Sequence, residues 1–237
     1  MASIYLIRHG QASFGKEDYD ALSPLGEQQA GVMGKALFGR LGKVDKIISG
    51  TMVRHKQTRD FALGGAEPSQ PEHSSPEFVE SADWNEYDHQ AVLAALEPQL
   101  STASGTRQFL AQADDPKKEF ASLFAQAIAR WQSELHNDDY PETWSQFKSR
   151  VKNALQTALA QCDNSQQLVV FTSGGPISAI AQRLLNLPDA QMLNLNWTLA
   201  NCGITKVVKT PNRVILSTLN EHSHFETSAL RHMITYK

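Results

Sequence analysis

Two short apolar runs constrain the fold of this chain more than any other feature. They are Ile4-Tyr5-Leu6-Ile7 and Leu168-Val169-Val170-Phe171-Thr172. Both are β-prone and apolar without alternation, the pattern of strands covered on both faces. Strands of that kind belong to parallel sheets flanked by helices, where ligands bind just past the carboxyl ends of the strands. Each run stops on residues with chemistry to offer. Arg8-His9-Gly10 follows the first, and Ser173-Gly174-Gly175-Pro176 follows the second. Arg8 is a permanent cation whose planar fork suits phosphate or carboxylate. His9 can act as nucleophile, base or metal ligand near neutral pH. Gly10 permits a tight turn. The Ser-Gly-Gly turn leads into a helical stretch, Ile177 to Leu185, and so places backbone N–H groups at a helix N-terminus.

The rest of the chain alternates between strand and helix patterns. Ser23 suits an N-cap and Pro24 a first helical position. The stripe Leu25, Ala30, Val32, Met33, Ala36 and Leu37 then predicts a helix to about Gly39. Lys46 to Ser49 reads as a second strand, and Met52 to Leu63 as a helix with Arg54 in its first turn. Gly64 to Pro76 is loop-like, and Phe78 to Glu80 is a third short strand. From about Asp88 to Pro141 no strand fits. Helices are expected over Gln90 to Leu100 and Lys117 to His136, joined by polar turns. This stretch is expected to be a helical insertion that caps a site. Trp144 to Gln161 is a returning helix, with Trp131 and Trp144 as packing residues. Gly203 to Val208 and Arg213 to Leu219 form a closing pair of strands. The expectation is one α/β domain over residues 1–237 with a largely parallel sheet and a cap at about 88–141.

A length of 237 residues suits one large domain or a domain plus an insertion. The formal net charge of −3 argues against a nucleic-acid or acidic-membrane partner. An anion site must then be a local concentration of positive charge. Three strand ends supply one: Arg8 with His9, Arg54, and the Ser173-Gly174-Gly175 turn. A fourth segment, Asp83 to Asp88, sets carboxylates just before the insertion. Cys162 and Cys202 match no metal spacing and are expected to be free buried thiols. No apolar run approaches a membrane span and no leader pattern opens the chain, so a cytoplasmic protein is expected. His222-Ser223-His224 lacks a third ligand, so no metal site is expected. His55, beside Arg54 on its helix, is expected to face solvent. His73, His89, His136 and His232 lie in polar contexts.

Several segments together resemble the histidine phosphatase superfamily, which includes the cofactor-dependent phosphoglycerate mutases. Arg8-His9-Gly10 matches the motif at the end of the family's first strand. Leu22 to Ala30 (LSPLGEQQA) resembles its Leu-Thr-x-x-Gly-x-x-Gln-Ala helix start. Ser49 to Thr58 (SGTMVRHKQT) resembles its Ser-Ser-Pro-x-x-Arg-Ala-x-x-Thr. Glu86 falls where the family keeps its acid, and Ser173-Gly174-Gly175 where it has His-Gly-Gly. The resemblance implies a three-layer α/β sandwich and a metal-free, cofactor-independent reaction on a small-molecule phosphoester. His9 would be the nucleophile, forming a phosphohistidine, with its other ring N–H held by a backbone carbonyl. Arg8 and Arg54 would clamp the phosphoryl oxygens, helped by Ser173 and Gly174. Glu86, with Asp88 as the alternate candidate, would protonate the leaving oxygen and later activate water, provided burial keeps it protonated.

Ser173 is the departure. A serine brings one neutral donor where the family has a second histidine, a loss of about 1.5–3 kcal/mol if a charge-assisted contact disappears. That amounts to roughly ten- to a hundredfold in rate when felt in the transition state alone. The amides of Gly174 and Gly175 are expected to offset part of it. A Ser173→His change is expected to restore the cation with nothing else in the motif needing to move, since Gly174 and Gly175 already supply the following turn. Three other readings compete. One is a phospho-ligand-binding module without turnover. Another is a phosphoglycerate mutase, disfavoured by the acidic Lys16-Glu17-Asp18 run. The third is a serine hydrolase with Ser173, Asp189 and His224 in triad order.

Overall fold

The computed structural model describes residues 1–13, 20–65, 76–163 and 166–236. In chain order the main elements are β1 (Ala2–Arg8), α1 (Pro24–Leu41), β2 (Lys46–Ser49), α2 (Val53–Gly64) and β3 (Glu77–Glu80). Then come α3 (His89–Leu96), α4 (Ala103–Leu110), α5 (Pro116–Gln132), α6 (Trp144–Ala160) and β4 (Gln167–Thr172). The chain finishes with α7 (Gly174–Leu185), α8 (Met192–Thr198), β5 (Ile204–Lys209) and β6 (Val214–Glu221). The strands form one sheet in the order β3-β2-β4-β1-β5-β6. The pairs β1–β4, β4–β2 and β2–β3 are parallel, while β5 joins β1 antiparallel and β6 joins β5 antiparallel.

The two apolar runs sit side by side at the centre of this sheet, and their lack of alternation has a direct cause. Ile4, Leu6, Leu168 and Val170 project into one apolar cluster with α3, α5, α6 and α7. Tyr5, Ile7, Val169 and Phe171 project into a second with α1, Ala62 of α2 and Phe225. Successive strand residues face opposite ways, so a strand with helices on both sides must be apolar at every position. The result is a three-layer α/β sandwich.

Register then decides where the chemistry lands. Arg8 pairs with Thr172, Ser49 with Phe171, and Glu80 with Ser49. The carboxyl ends of β1, β4, β2 and β3 therefore align along one edge of the sheet, and the residues that follow each strand converge there.

The helices depart from the sequence expectation in instructive places. The helix expected to Leu100 stops at Leu96, because Pro98 drives Glu97 into extended backbone at φ −140°. The helix expected to His136 ends at Gln132, and Glu134 turns left-handed at φ 56°. Helices α4 and α8 are not legible in the sequence. The first turn of α4 holds Ser104, Gly105 and Thr106, poor helix formers held by the Thr102 hydroxyl accepting from the Gly105 amide at 3.0 Å. Helix α7 begins three residues earlier than expected, at Gly174, since Pro176 is tolerated in a first turn. Between β3 and α6 the described chain contributes helices and turns and no strand.

Trp131, Trp144 and Phe147 pack together and against Tyr87, with ring centroids 4.9–5.8 Å apart. Cys162 and Cys202 are buried free thiols. Among the described residues no helix is long and apolar enough to cross a membrane, and no three metal-ligating side chains cluster. Lys16-Glu17-Asp18, His73 and most of the expected 64–76 loop lie outside the described residues.

Candidate active site

His9 is held by its neighbours on every side. Its amide donates to the Thr172 carbonyl at 2.9 Å, and its carbonyl accepts from Asn201 Nδ2 at 3.1 Å. Nδ1 lies 2.8 Å from the Gly10 carbonyl, which can only accept, so Nδ1 carries the proton and Nε2 keeps its lone pair. Burial holds the His9 pKa well below the usual histidine value, and the nearby charges of Arg54 and Arg8 add to it. The ring is therefore neutral at pH 7.

Arg54 is 5 % exposed and enters from the first turn of α2. Its Nη1 donates to Asp20 Oδ1 at 2.7 Å, while Asp20 Oδ2 accepts the Val53 amide at 2.7 Å and so caps α2. The Thr58 hydroxyl ties this turn to the His9 turn. It donates to the Arg54 carbonyl at 2.6 Å and accepts the Gly10 amide at 3.0 Å. Arg8 donates to the Leu199 carbonyl.

Glu86 reaches the same place from the segment after β3. Oε2 accepts the Gly175 amide at 3.0 Å and Oε1 the Tyr87 amide at 3.2 Å. A Cβ on residue 175 would lie 1.9 Å from Glu86 Oε1, so this approach requires glycine. Burial raises the Glu86 pKa, opposed by the Gly175 amide and the Arg54 charge. Asp88 is engaged elsewhere: exposed, it caps α3 by accepting the Ala91 amide at 3.0 Å.

Three expectations around the Ser173 turn are corrected. The Gly175 amide is committed to Glu86 and is not offered to an anion. His55 does not face solvent: it is 0 % exposed, with Nε2 2.6 Å from the Ser173 hydroxyl, which is also 0 % exposed. A histidine at 173 would meet this ring, so Ser173→His cannot be accommodated with nothing else moving. The signal for His55 was present. His55, Thr58 and Ala62 are spaced i, i+3, i+7, one face of a helix, and all three are buried. For Asp20 the sequence carries no such signal. Asn196 also borders the site, since a Cβ on Gly174 would lie 2.1 Å from its Oδ1.

The serine-hydrolase constellation is not assembled. Asp189 accepts from Trp144 Nε1 and Lys148 Nζ at 2.6 Å each, the His224 ring lies tilted at 60° against Phe225 with centroids 4.1 Å apart, and the partner of Ser173 is His55. Ser173 also has unstrained extended backbone, φ −119° and ψ 173°, unlike the sharp turn a nucleophile elbow needs.

The arrangement thus gathers a neutral imidazole, two guanidinium groups, a carboxyl and a hydroxyl at the carboxyl ends of the parallel strands of the sheet. Among solved structures, YhfR from Bacillus stearothermophilus is similar at 17 % identity and a TM-score of 0.66, covering 94 % of this chain and 99 % of that one. A phosphoserine phosphatase from Entamoeba histolytica is similar at 17 % identity and 0.63, covering 94 % and 99 %. A phosphoglycerate mutase from Bacillus anthracis is similar at 16 % identity and 0.61, covering 94 % of each chain. No curated protein matches the chain by sequence. The family model of the histidine phosphatase superfamily, branch 1, matches residues 4–112 and 107–222. Matched over nearly its whole length and sharing the fold of these phosphatases and mutases, the chain belongs to the histidine phosphatase superfamily.

Proposed function

We propose that the protein hydrolyses small-molecule phosphomonoesters through a phosphohistidine on His9. The observation that carries this reading is the Gly10 carbonyl on His9 Nδ1, which leaves Nε2 as a buried, neutral nucleophile beside Arg8 and Arg54. Nε2 attacks phosphorus and the P–O ester bond breaks. The leaving oxygen takes the proton of the Glu86 carboxyl, which burial favours in its protonated form. Glu86, now ionised, takes a proton from water as its oxygen attacks phosphorus. The P–N bond breaks, and inorganic phosphate leaves. Arg8 and Arg54 stabilise the phosphoryl oxygens throughout, and for Arg54 the substrate competes with Asp20.

Hydrolysis of an aryl phosphate by wild type and His9→Ala tests the reading. The expected loss is on the order of a thousandfold or more, as for removal of other nucleophiles. A base-stable, acid-labile phosphoprotein should form in wild type and not in the variant. If phosphate binds while every phosphomonoester tried is left intact, the protein is a phospho-ligand-binding module instead.

A further inference from the structure

His55 has no task in the reaction above, although it is wholly buried and its ring centroid is 5.9 Å from that of His9. We propose that His55 and Ser173 act as one donor unit, in which His55 Nε2–H holds the Ser173 oxygen and aims the Ser173 O–H at the phosphoryl group. The proposal rests on the phosphohistidine reading of the same site.

The tautomer follows from what surrounds the ring. Nδ1 is buried without a hydrogen-bond partner, against Gly50, where a Cβ would lie 2.1 Å away. A proton on Nδ1 would be fixed against Gly50 with no acceptor, whereas the Ser173 hydroxyl proton can rotate towards a bound phosphoryl oxygen, so the ring proton belongs on Nε2. Burial first, and the Arg54 charge second, keep the imidazole uncharged. The ring then donates one hydrogen bond, and the nearby acceptor is the Ser173 oxygen at 2.6 Å.

The helix next to the pair points the same way. Ser173 is the N-cap of α7, a position where serine normally accepts an amide of the first turn. Here its side chain makes no capping bond, and the Gly175 amide goes to Glu86. Ser173 is thereby released to His55. With its oxygen accepting from Nε2–H, its own proton is left to donate, and a donor that is itself accepting a hydrogen bond is strengthened. On the motif resemblance, alanine stands at the position of His55 and histidine at that of Ser173, a reciprocal exchange. Gly50 makes the room that the exchanged imidazole needs. His55 is thus a positioning residue that acts through Ser173.

A double-mutant cycle on an aryl phosphate tests the coupling. His55→Ala and Ser173→Ala should each lower kcat about tenfold with KM within about twofold, the scale of one hydrogen bond felt in the transition state. The double variant should be no slower than either single one. His55→Gln, whose amide can donate from nearly the Nε2 position, should recover most of the loss. His55→Ala with Ser173→His should exceed His55→Ala alone, because the ring's space is then empty. Histidine 15N spectra of the wild type should show His55 as the Nε2–H tautomer, with a signal that moves on adding orthovanadate.

Multiplicative losses in the double variant, full kcat in His55→Ala, or an Nδ1–H tautomer would overturn the proposal. Failure of the underlying reading looks different: an inert wild type, or an active His9→Ala. In that event vanadate decides, and an unmoved His55 signal with unchanged vanadate affinity in His55→Ala would sink the pair as an anion donor.

Discussion

Burial acts in opposite senses on the two residues at the centre of the chemistry. It disfavours charge, so it pushes the Glu86 carboxyl up and the His9 imidazole down. In the proposed reaction this favours an uncharged imidazole for attack and a carboxyl that keeps its proton to higher pH than usual. A bell-shaped pH dependence of kcat/KM is expected, its acid limb set by His9 and its alkaline limb by Glu86. Glu86→Gln should lower kcat by about 10²–10⁴ and remove the alkaline limb. Linkage fixes the stability effect. A group whose pKa is raised on folding stabilises below its unfolded value, and that stability is lost as pH rises through the folded value. Glu86→Gln should therefore gain in Tm relative to wild type as pH increases from 4.5 to 8. A Tm difference that stays flat across that range would show that the carboxyl pays no burial penalty.

At the scale of elements, the segment from Ala82 to Tyr87 has little regular structure of its own, yet it must present Glu86 to within hydrogen-bond distance of α7. Helix α6 holds it. Arg150 Nη1 donates to the carbonyls of Asp83 at 2.9 Å and Asn85 at 3.0 Å, while Nε and Nη2 grip both oxygens of Glu142 at 2.7 and 2.9 Å. From the other side the Thr172 hydroxyl donates to the Trp84 carbonyl at 2.5 Å, and Asn85 exchanges two hydrogen bonds with Thr51, both at 2.7 Å. A lysine could replace the charge of Arg150 but not its fork. Arg150→Lys should lower kcat about tenfold with KM little changed, and should cost about 1–3 kcal/mol in denaturant unfolding. An unaltered kcat would mean that Glu86 is placed without help from α6.

Across the whole molecule, burial lowers the pKa of His9, His55, His89 and His224, that of His224 to about 4. For a histidine whose pKa falls on folding, the unfolded chain binds more protons below about 6.5. Stability should therefore decline as pH drops from 6.5 towards 4, although Glu86 acts in the opposite direction. Calorimetric Tm measured from pH 8 to pH 4 should fall over that window. His224→Gln, at a position outside the active site, should flatten part of the fall. An unchanged slope in that variant would mean that His224 is already protonated in the folded protein.

The α/β class, the centre of the sheet and the strand ends that carry Arg8, His9 and Ser173 are all written in local sequence. Its signals there are local: a strand between two helical layers has to be apolar at every residue, and a turn that meets a ligand carries glycine and cations. The positions of Arg54 and Glu86 were legible through the order of motifs. The contacts that register and packing make between distant segments emerge with the folded chain. Asp20 on Arg54, the Gly175 amide on Glu86 and Arg150 beneath Asn85 are separated in sequence by 34, 89 and 65 residues. His55 shows the limit most clearly. Its helical spacing marks a buried face, but nothing local reveals that it meets Ser173, 118 residues away. That meeting depends on β2 pairing with β4, which sets the two strand ends, and the small residue Gly50 between them, side by side.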